Sequence, residues 1–307
     1  MTVQVFGHKS PDTDSTGSPI IWAWYLNEVR NIGAEPRLLG TPNTEAAFVL
    51  KHWDLASPEV LGSLAEGDPV VIVDTNNPSE LPDNINGCDI QAIIDHHKLV
   101  GGLETKAAID ITIRPLACTA TIMIDLMGPD AAAQMPRAIK GAALSCILSD
   151  TLEFRSPTTT DHDRALAVKL AKDLGLCIPE YAAHMFAAKS DVSAFSDAEL
   201  LRMDSKEFIV CGVKLRVSVL ETTSPTTVMS RKASLMQTMV TVAAEDGVDQ
   251  VLLFVVDILN TESTLLVQNA AVKAIAEASF SGTIEDDCLV LPGVVSRKKQ
   301  IIPQLTV

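Results

Sequence analysis

The sequence predicts an α/β protein: a parallel-sheet N-terminal domain joined to a smaller C-terminal α/β domain. Three observations carry this. Pro69–Val73 (PVVIV) is a continuous apolar run and Ile90–Ile94 (IQAII) repeats it, as strands buried on both faces should. Helical patterns alternate with such runs through the first half, which implies right-handed crossovers and a parallel sheet. Aromatics are only 4% of the 307 residues, so Ala, Val, Leu and Ile must fill the core, which suits helices packed closely on a sheet.

Taken in order, Thr2–Gly7 (TVQVFG) alternates as a strand and breaks into the polar loop HKSPDTDS. A helix is expected over Ile20–Arg30, a second strand over Glu35–Leu39, and a helix over EAAFVLKHW capped by Thr44. The two buried runs end in Asp74 and Asp95. Parallel sheets bind ligands beyond the carboxyl ends of their strands. Three polar loops, His8–Asp14, Asp74–Asn77 and Asp95–His97, are therefore expected at one edge. Helical stretches follow at Thr119–Met127, Arg137–Ser149 and Asp161–Leu174, the last behind capping threonines.

The pattern breaks around Ala187–Ser196, which sets the domains at 1–187 and 196–307 with a linker over 188–195. Beyond it, Glu207–Glu221 reads as a hairpin turning at Cys211–Gly212. Val248–Ile258 is a buried strand, Thr264–Gln268 its partner, and Ala270–Ser279 a short helix.

Lys and Arg number 24 against 39 Asp and Glu, a formal charge of −15. A general nucleic-acid binder needs the opposite balance to neutralise phosphates, so no nucleic-acid partner is expected. A local cluster of cations or metals could still hold a small anion. The longest apolar stretches fall far short of the roughly 20 residues of a membrane helix, so no membrane partner is expected either. The N-terminus (MTVQVFGHK) has no signal-like pattern, and the six cysteines show no CxxC. Reduced, mostly buried thiols and a cytoplasmic location are the expectation.

The hard ligands fall in a pattern. His8, Asp12 and Asp14 share one loop, Asp74 ends one buried strand, Asp95-His96-His97 ends another, and Asp150 closes a helical segment. Carboxylates at the ends of apolar strands are costly without a partner. Four Asp-bearing segments at one edge would repel unless cations lay between them. Carboxylates mixed with imidazoles, without thiolates, suit manganese, magnesium, cobalt or zinc. The supply exceeds what one ion requires, and two ions roughly 3.5–4 Å apart fit it better. His52, His162 and His184 lie on amphipathic helices away from these loops and read as structural or solvated.

The motifs GHKSPDTDS, VDTNN, IIDHH and LSDT together resemble the DHH phosphoesterase superfamily, and SRKKQ (Ser296–Gln300) narrows the resemblance to family II, manganese-dependent inorganic pyrophosphatases. It covers essentially the whole chain and is similar to the short form, without a regulatory nucleotide-binding insert. One departure is Ser10, where the family usually has Asn.

The resemblance implies an N-terminal DHH domain, a smaller C-terminal domain, and an active site in the cleft between them that closes around substrate. It implies that His8 and Asp12 bind one manganese, that Asp14, His96 and Asp150 bind a second, and that Asp74 bridges both. Cobalt or magnesium would be substitutes, and further magnesium would arrive with substrate. Asp95 would orient the His pair, and His97 would lie beside the substrate. Lys206, in MDSKEF, with Arg297 and Lys298 would bind pyrophosphate. The implied reaction is hydrolysis to two orthophosphates by a metal-bridged hydroxide. A homodimer is also implied. The alternative is a related phosphoesterase acting on polyphosphate or short oligonucleotides, although the Gly-rich GGGH-like element of the nucleotide-cleaving members is missing.

Overall fold

Continuous β-branched sequence at Pro69–Val73 produces a strand whose five residues are all buried, and the first sheet is built around it. The protein is described here from a computed structural model covering residues 1–307, which divides into two compact units, 1–188 and 189–307.

In the first unit the elements run β1 (Val3–Phe6), α1 (Thr13–Glu28), β2 (Ala34–Leu38), α2 (Thr44–His52), β3 (Glu59–Val60), β4 (Pro69–Val73), β5 (Asp89–Asp95) and β6 (Asp110–Ile113). Four helices follow: α3 (Thr119–Gln134), α4 (Arg137–Asp150), α5 (Asp161–Leu174) and α6 (Ile178–Lys189). All six strands are parallel, in the order β3-β2-β1-β4-β5-β6. The chain lays strands outward from β1 and then returns to place β4 on its other side. Strand order thus reverses between β1 and β4, and such a switch point leaves a crevice beyond the strands' carboxyl ends. His8 follows β1 and Asp74 follows β4, so both stand at that crevice. Phe6, Val70, Ile72, Ile90 and Ile93 pack into one core cluster against this sheet.

Two local expectations need correction. The first helix begins at Thr13, not near Ile20, because Asp12 caps it by accepting a hydrogen bond from the Ser15 N–H. Gly17 and Pro19 read as helix breakers, yet both lie inside α1. Gly17 is needed for packing: a Cβ there would meet Cys146 Sγ of α4 at 2.4 Å. Asp14 consequently sits in a helical turn and not in a loop. The cap of α2 is Asn43, whose side chain accepts from the Ala46 N–H, and Thr44 is the first helical residue. Gly128 interrupts α3 with φ +76°, close to where the sequence reading ended that helix.

In the second unit the order is α7 (Asp197–Met203), β7 (Ser205–Val210), β8 (Val213–Thr222), α8 (Pro225–Met229), α9 (Lys232–Asp246), β9 (Gln250–Asp257), β10 (Glu262–Leu266), α10 (Ala270–Ser279), β11 (Ile284–Glu285), β12 (Cys288–Pro292) and α11 (Ile302–Gln304). The sheet order is β11-β12-β10-β9-β8-β7, with β8 and β9 parallel and the other pairs antiparallel. The β7–β8 hairpin turns at Cys211 and Gly212, both at positive φ, as a tight two-residue turn demands. Along β9, Leu252, Phe254 and Val256 enter one core cluster, while Val251, Leu253 and Val255 enter another. The first cluster takes Val272, Ile275 and Ala276 of α10, and the second takes Leu235, Met239 and Val242 of α9. The sheet is therefore covered on both faces. No helix is long and apolar enough to cross a membrane, and all six cysteines are free.

Candidate metal centre

The switch point gathers every ligand residue that the sequence nominates in the first unit. β1 ends at Phe6, and the His8 N–H donates to Ser15 Oγ at 2.8 Å, which ties the loop to the first turn of α1. A Cβ on Gly7 would fall 2.0 Å from that same Oγ, so only glycine allows this approach. Asp12 spends Oδ1 on its capping bond and turns Oδ2 to within 3.7 Å of His8 Nε2. Asp14 is buried in that first turn. Its Oδ1 accepts from Ser18 Oγ at 2.7 Å and its Oδ2 from the Thr119 N–H at 2.7 Å.

Asp74 stands at the centre. It is 1% exposed, has φ +58°, and its N–H donates to the Ile94 carbonyl. Positive φ is uncommon for a non-glycine residue and marks a backbone held by its surroundings. Asp74 Oδ2 lies 3.5 Å from His8 Nε2, and Oδ1 lies 3.4 Å from His96 Nε2. The Thr119 hydroxyl donates to Oδ1 at 3.1 Å. His96 places Nδ1 3.3 Å from the Leu116 carbonyl, an arrangement that leaves Nε2 to act as a ligand. Asp150, the last residue of α4, keeps its buried Oδ2 without a hydrogen-bond partner.

These atoms fall into overlapping groups whose ligand atoms lie within 4.8 Å of one another: His8-Asp12-Asp74, Asp14-His96-Asp150 and Asp74-His96-His97. In the last, His97 Nδ1 is 3.9 Å from Asp74 Oδ1 but only 2.9 Å from Asp95 Oδ1. Its imidazole is therefore already engaged on the side facing the carboxylates, and it is half exposed. The hydrogen bond to Asp95 raises the His97 pKa against the opposing effect of burial. Burial of Asp95 works against its charge, yet the His97 ring and backbone and the Asn76 amide outweigh it and hold that carboxyl below its ordinary range. Asp95 thus orients His97 while Asn76 fixes Asp95 from the other side at 2.6 Å.

Burial pushes the Asp74 and Asp150 carboxyls well above the usual range, and the neighbouring Asp14 and Asp12 push further. Positive charge placed beside such groups favours their ionised form. The thiols of Cys118 and Cys146 are raised by burial, then by Asp14 and Asp150, and stay neutral. The donor set is therefore carboxylate oxygen and imidazole nitrogen, with one unpartnered buried oxygen. A divalent cation of the manganese or magnesium kind fits it. A cavity of about 490 Å³ adjoins the cluster, with His8, Lys9, Asn76, Glu80, His97 and Lys98 among its lining.

The remaining nominated residues lie in the second unit. Lys206 is exposed on β7. Arg297 and Lys298 occupy a wide helical turn, Arg297–Ile301, in which Ser296 Oγ accepts from the Lys299 N–H. Arg297 donates to the Asp204 carbonyl at 2.8 Å and to its Oδ1 at 2.6 Å, which pins this turn two residues from Lys206. Thr119, Ser15 and Ser18 were not nominated. Ser18, four residues after Asp14 on a helix, was open to detection from spacing. Thr119 was not, being 105 residues from Asp14.

Comparison with known proteins gives the same outline. A family model described as "DHH family, N-terminal domain" matches residues 2–149, and one described as "DHHA2 domain" matches 183–307. A Staphylococcus haemolyticus protein named a manganese-dependent inorganic pyrophosphatase is 36% identical over 98% of this chain and 97% of its own. A Bacillus licheniformis protein of the same name is 35% identical over 99% and 97%. A solved Methanococcus jannaschii structure described as a family II inorganic pyrophosphatase is 34% identical, has a TM-score of 0.62, and covers 99% of this chain and 98% of that one. With full-length identity at this level and both domains matched in order, the chain belongs to the family II, manganese-dependent inorganic pyrophosphatases.

Proposed function

We propose that the chain hydrolyses inorganic pyrophosphate to two orthophosphates, with two manganese ions per subunit as its cofactor. The observation that carries this is the division of Asp74: one carboxylate oxygen faces His8 at 3.5 Å and the other faces His96 at 3.4 Å. His8, Asp12 and Asp74 would hold one ion, and Asp14, His96, Asp150 and Asp74 the other. When bound, such a pair lowers the pKa of water toward neutrality and draws charge off phosphoryl oxygens.

The chain's own side chains do the rest. Lys206 and Lys298 offer point charges to the non-bridging oxygens, and Arg297 offers a planar fork once it shares or leaves Asp204. His97, oriented by Asp95, donates a hydrogen bond from its free ring nitrogen to a substrate oxygen. Catalysis of phosphoryl transfer is then mostly positioning and charge neutralisation. The free cysteines support a reducing, cytoplasmic setting. The open edge strand β6, with Ile111 57% exposed, supports a homodimer built on a strand edge.

The deciding experiment is phosphate release by metal-stripped protein after addition of manganese, magnesium or zinc. Manganese-restored hydrolysis of pyrophosphate is the expected result. Activity only on tripolyphosphate or a short oligonucleotide run in parallel would keep the centre and replace the substrate. Silence on every substrate would overturn the reading.

A further inference from the structure

A buried carboxylate outside the ligand set links the two helix ends that carry ligands. Glu45, in the first turn of α2, is 0% exposed. Its Oε2 accepts from Thr13 Oγ1 at 2.9 Å and from Ser149 Oγ at 2.7 Å. Thr13 lies between Asp12 and Asp14 at the start of α1, and Ser149 directly precedes Asp150 at the end of α4. One oxygen atom therefore joins the N-terminus of one ligand-bearing helix to the C-terminus of the other.

A buried carboxyl group needs hydrogen-bond compensation. Here it comes from two hydroxyl donors, at the amino end of α2. That end is itself fixed to the ligand loop, because the Asn43 N–H donates to the Pro11 carbonyl at 3.0 Å. A second tie runs from Cys146 Sγ to the Thr13 carbonyl at 3.4 Å. These ties hold the end of α1 that carries Asp14 beside the end of α4 that carries Asp150.

We infer that Glu45 is a positioning residue that holds the α1 and α4 ends, through Thr13 and Ser149, at the separation a metal pair requires. This rests on the two-ion reading of the centre. Glu45 acts through Thr13 and Ser149, so its effect falls on the Asp14-His96-Asp150 group, which spans both helix ends, more than on His8-Asp12-Asp74.

The test is manganese titration of the full-length metal-stripped protein, followed by electron paramagnetic resonance for binding and for the spin-coupled pair. Glu45→Ala should weaken the second ion at least tenfold and diminish the coupled signal, while the first ion binds nearly as in the wild type. Glu45→Gln keeps the acceptor and should recover most of that loss. In the activity assay, kcat at limiting manganese should fall while KM for pyrophosphate stays within about twofold. A folded Glu45→Ala protein that binds both ions as tightly as the wild type would overturn the inference. If that variant fails to fold, Thr13→Val and Ser149→Ala each remove one donor, and wild-type affinity in both would overturn it equally. Binding is read without substrate, so a wild type that pairs manganese but spares pyrophosphate would reject the proposed activity and leave Glu45 tested. A wild type that binds only one ion would reject Glu45's role.

Discussion

The Thr119 hydroxyl donates to Asp74 Oδ1 at 3.1 Å, the same oxygen that faces His96. Its backbone N–H meanwhile donates to Asp14. One residue at the start of α3 thus fixes the orientation of the central carboxylate and of a carboxylate in the neighbouring group. The segment before it is held by Asp163, which accepts from the Ala117 N–H and the Thr121 hydroxyl while closing the capping box of α5.

Thr119→Val should therefore act on the metals although Thr119 is not a ligand. Residues that orient ligands typically contribute about 10- to 100-fold in metal affinity or activity. The valine keeps the backbone bond to Asp14 and loses only the hydroxyl. Manganese affinity should fall within that range, and Thr119→Ser should restore it. Equal affinity in valine and wild type would show that the hydroxyl is dispensable.

Asp74→Ala should do far more, because it removes the one carboxylate assigned to both proposed ion sites. Turnover and the coupled manganese signal should vanish together while one ion still binds. Near-normal turnover, or loss of turnover with the coupled signal intact, would exclude the bridging role. Folding should survive, since Asp74 is a cost to the metal-free protein and not a support.

That cost has a pH signature. The folded pKa values of Asp74 and Asp150 are raised, so the folded metal-free chain holds protons that the unfolded chain releases near pH ~4. Their contribution is fully present below that value and is lost as pH rises through the raised folded values. Asp95 has the opposite sign, and its depressed pKa makes a contribution lost only on acidification. Manganese bound as proposed would replace the protons on Asp74 and Asp150. The gain in melting temperature on adding excess manganese should therefore grow as pH rises above the ordinary carboxylate range. A pH-independent gain, measured by calorimetry with and without chelator, would mean that these carboxylates are already ionised in the metal-free fold.

The centre was legible because several of its candidate ligands follow strand ends. Buried runs ending in Asp74 and Asp95 declare both the sheet and its chemical edge, and a parallel sheet has one such edge. What was hidden lies in contacts between distant segments. Nothing near Thr119 in sequence indicates that it meets Asp14, and Glu45 looks like an ordinary first-turn acid until Thr13 and Ser149 close around it. The start of α1 was obscured because Gly17 and Pro19 both lie inside it, Gly17 where close packing against Cys146 leaves no room for a Cβ. The edge strands β3 and β6 were missed because they are short and carry no buried alternation to read.

Lys298→Ala separates substrate binding from metal binding. Lys298 lies in the second compact unit, and every proposed metal ligand lies in the first. Removing it should leave manganese titrations unchanged. Loss of a charged hydrogen bond costs about 1.5–3 kcal/mol, so KM for pyrophosphate should rise about 10- to 100-fold. Arg297→Ala should behave alike but less simply, because the guanidinium also donates twice to Asp204 and anchors the turn. Asp204→Asn is the control that sorts the two effects. It weakens the anchor without removing a cation, so its KM should change less than that of Arg297→Ala if Arg297 meets the substrate. Equal changes in the two variants would assign Arg297 to holding the turn, and a Lys298→Ala protein with unchanged KM would remove that lysine from the substrate site.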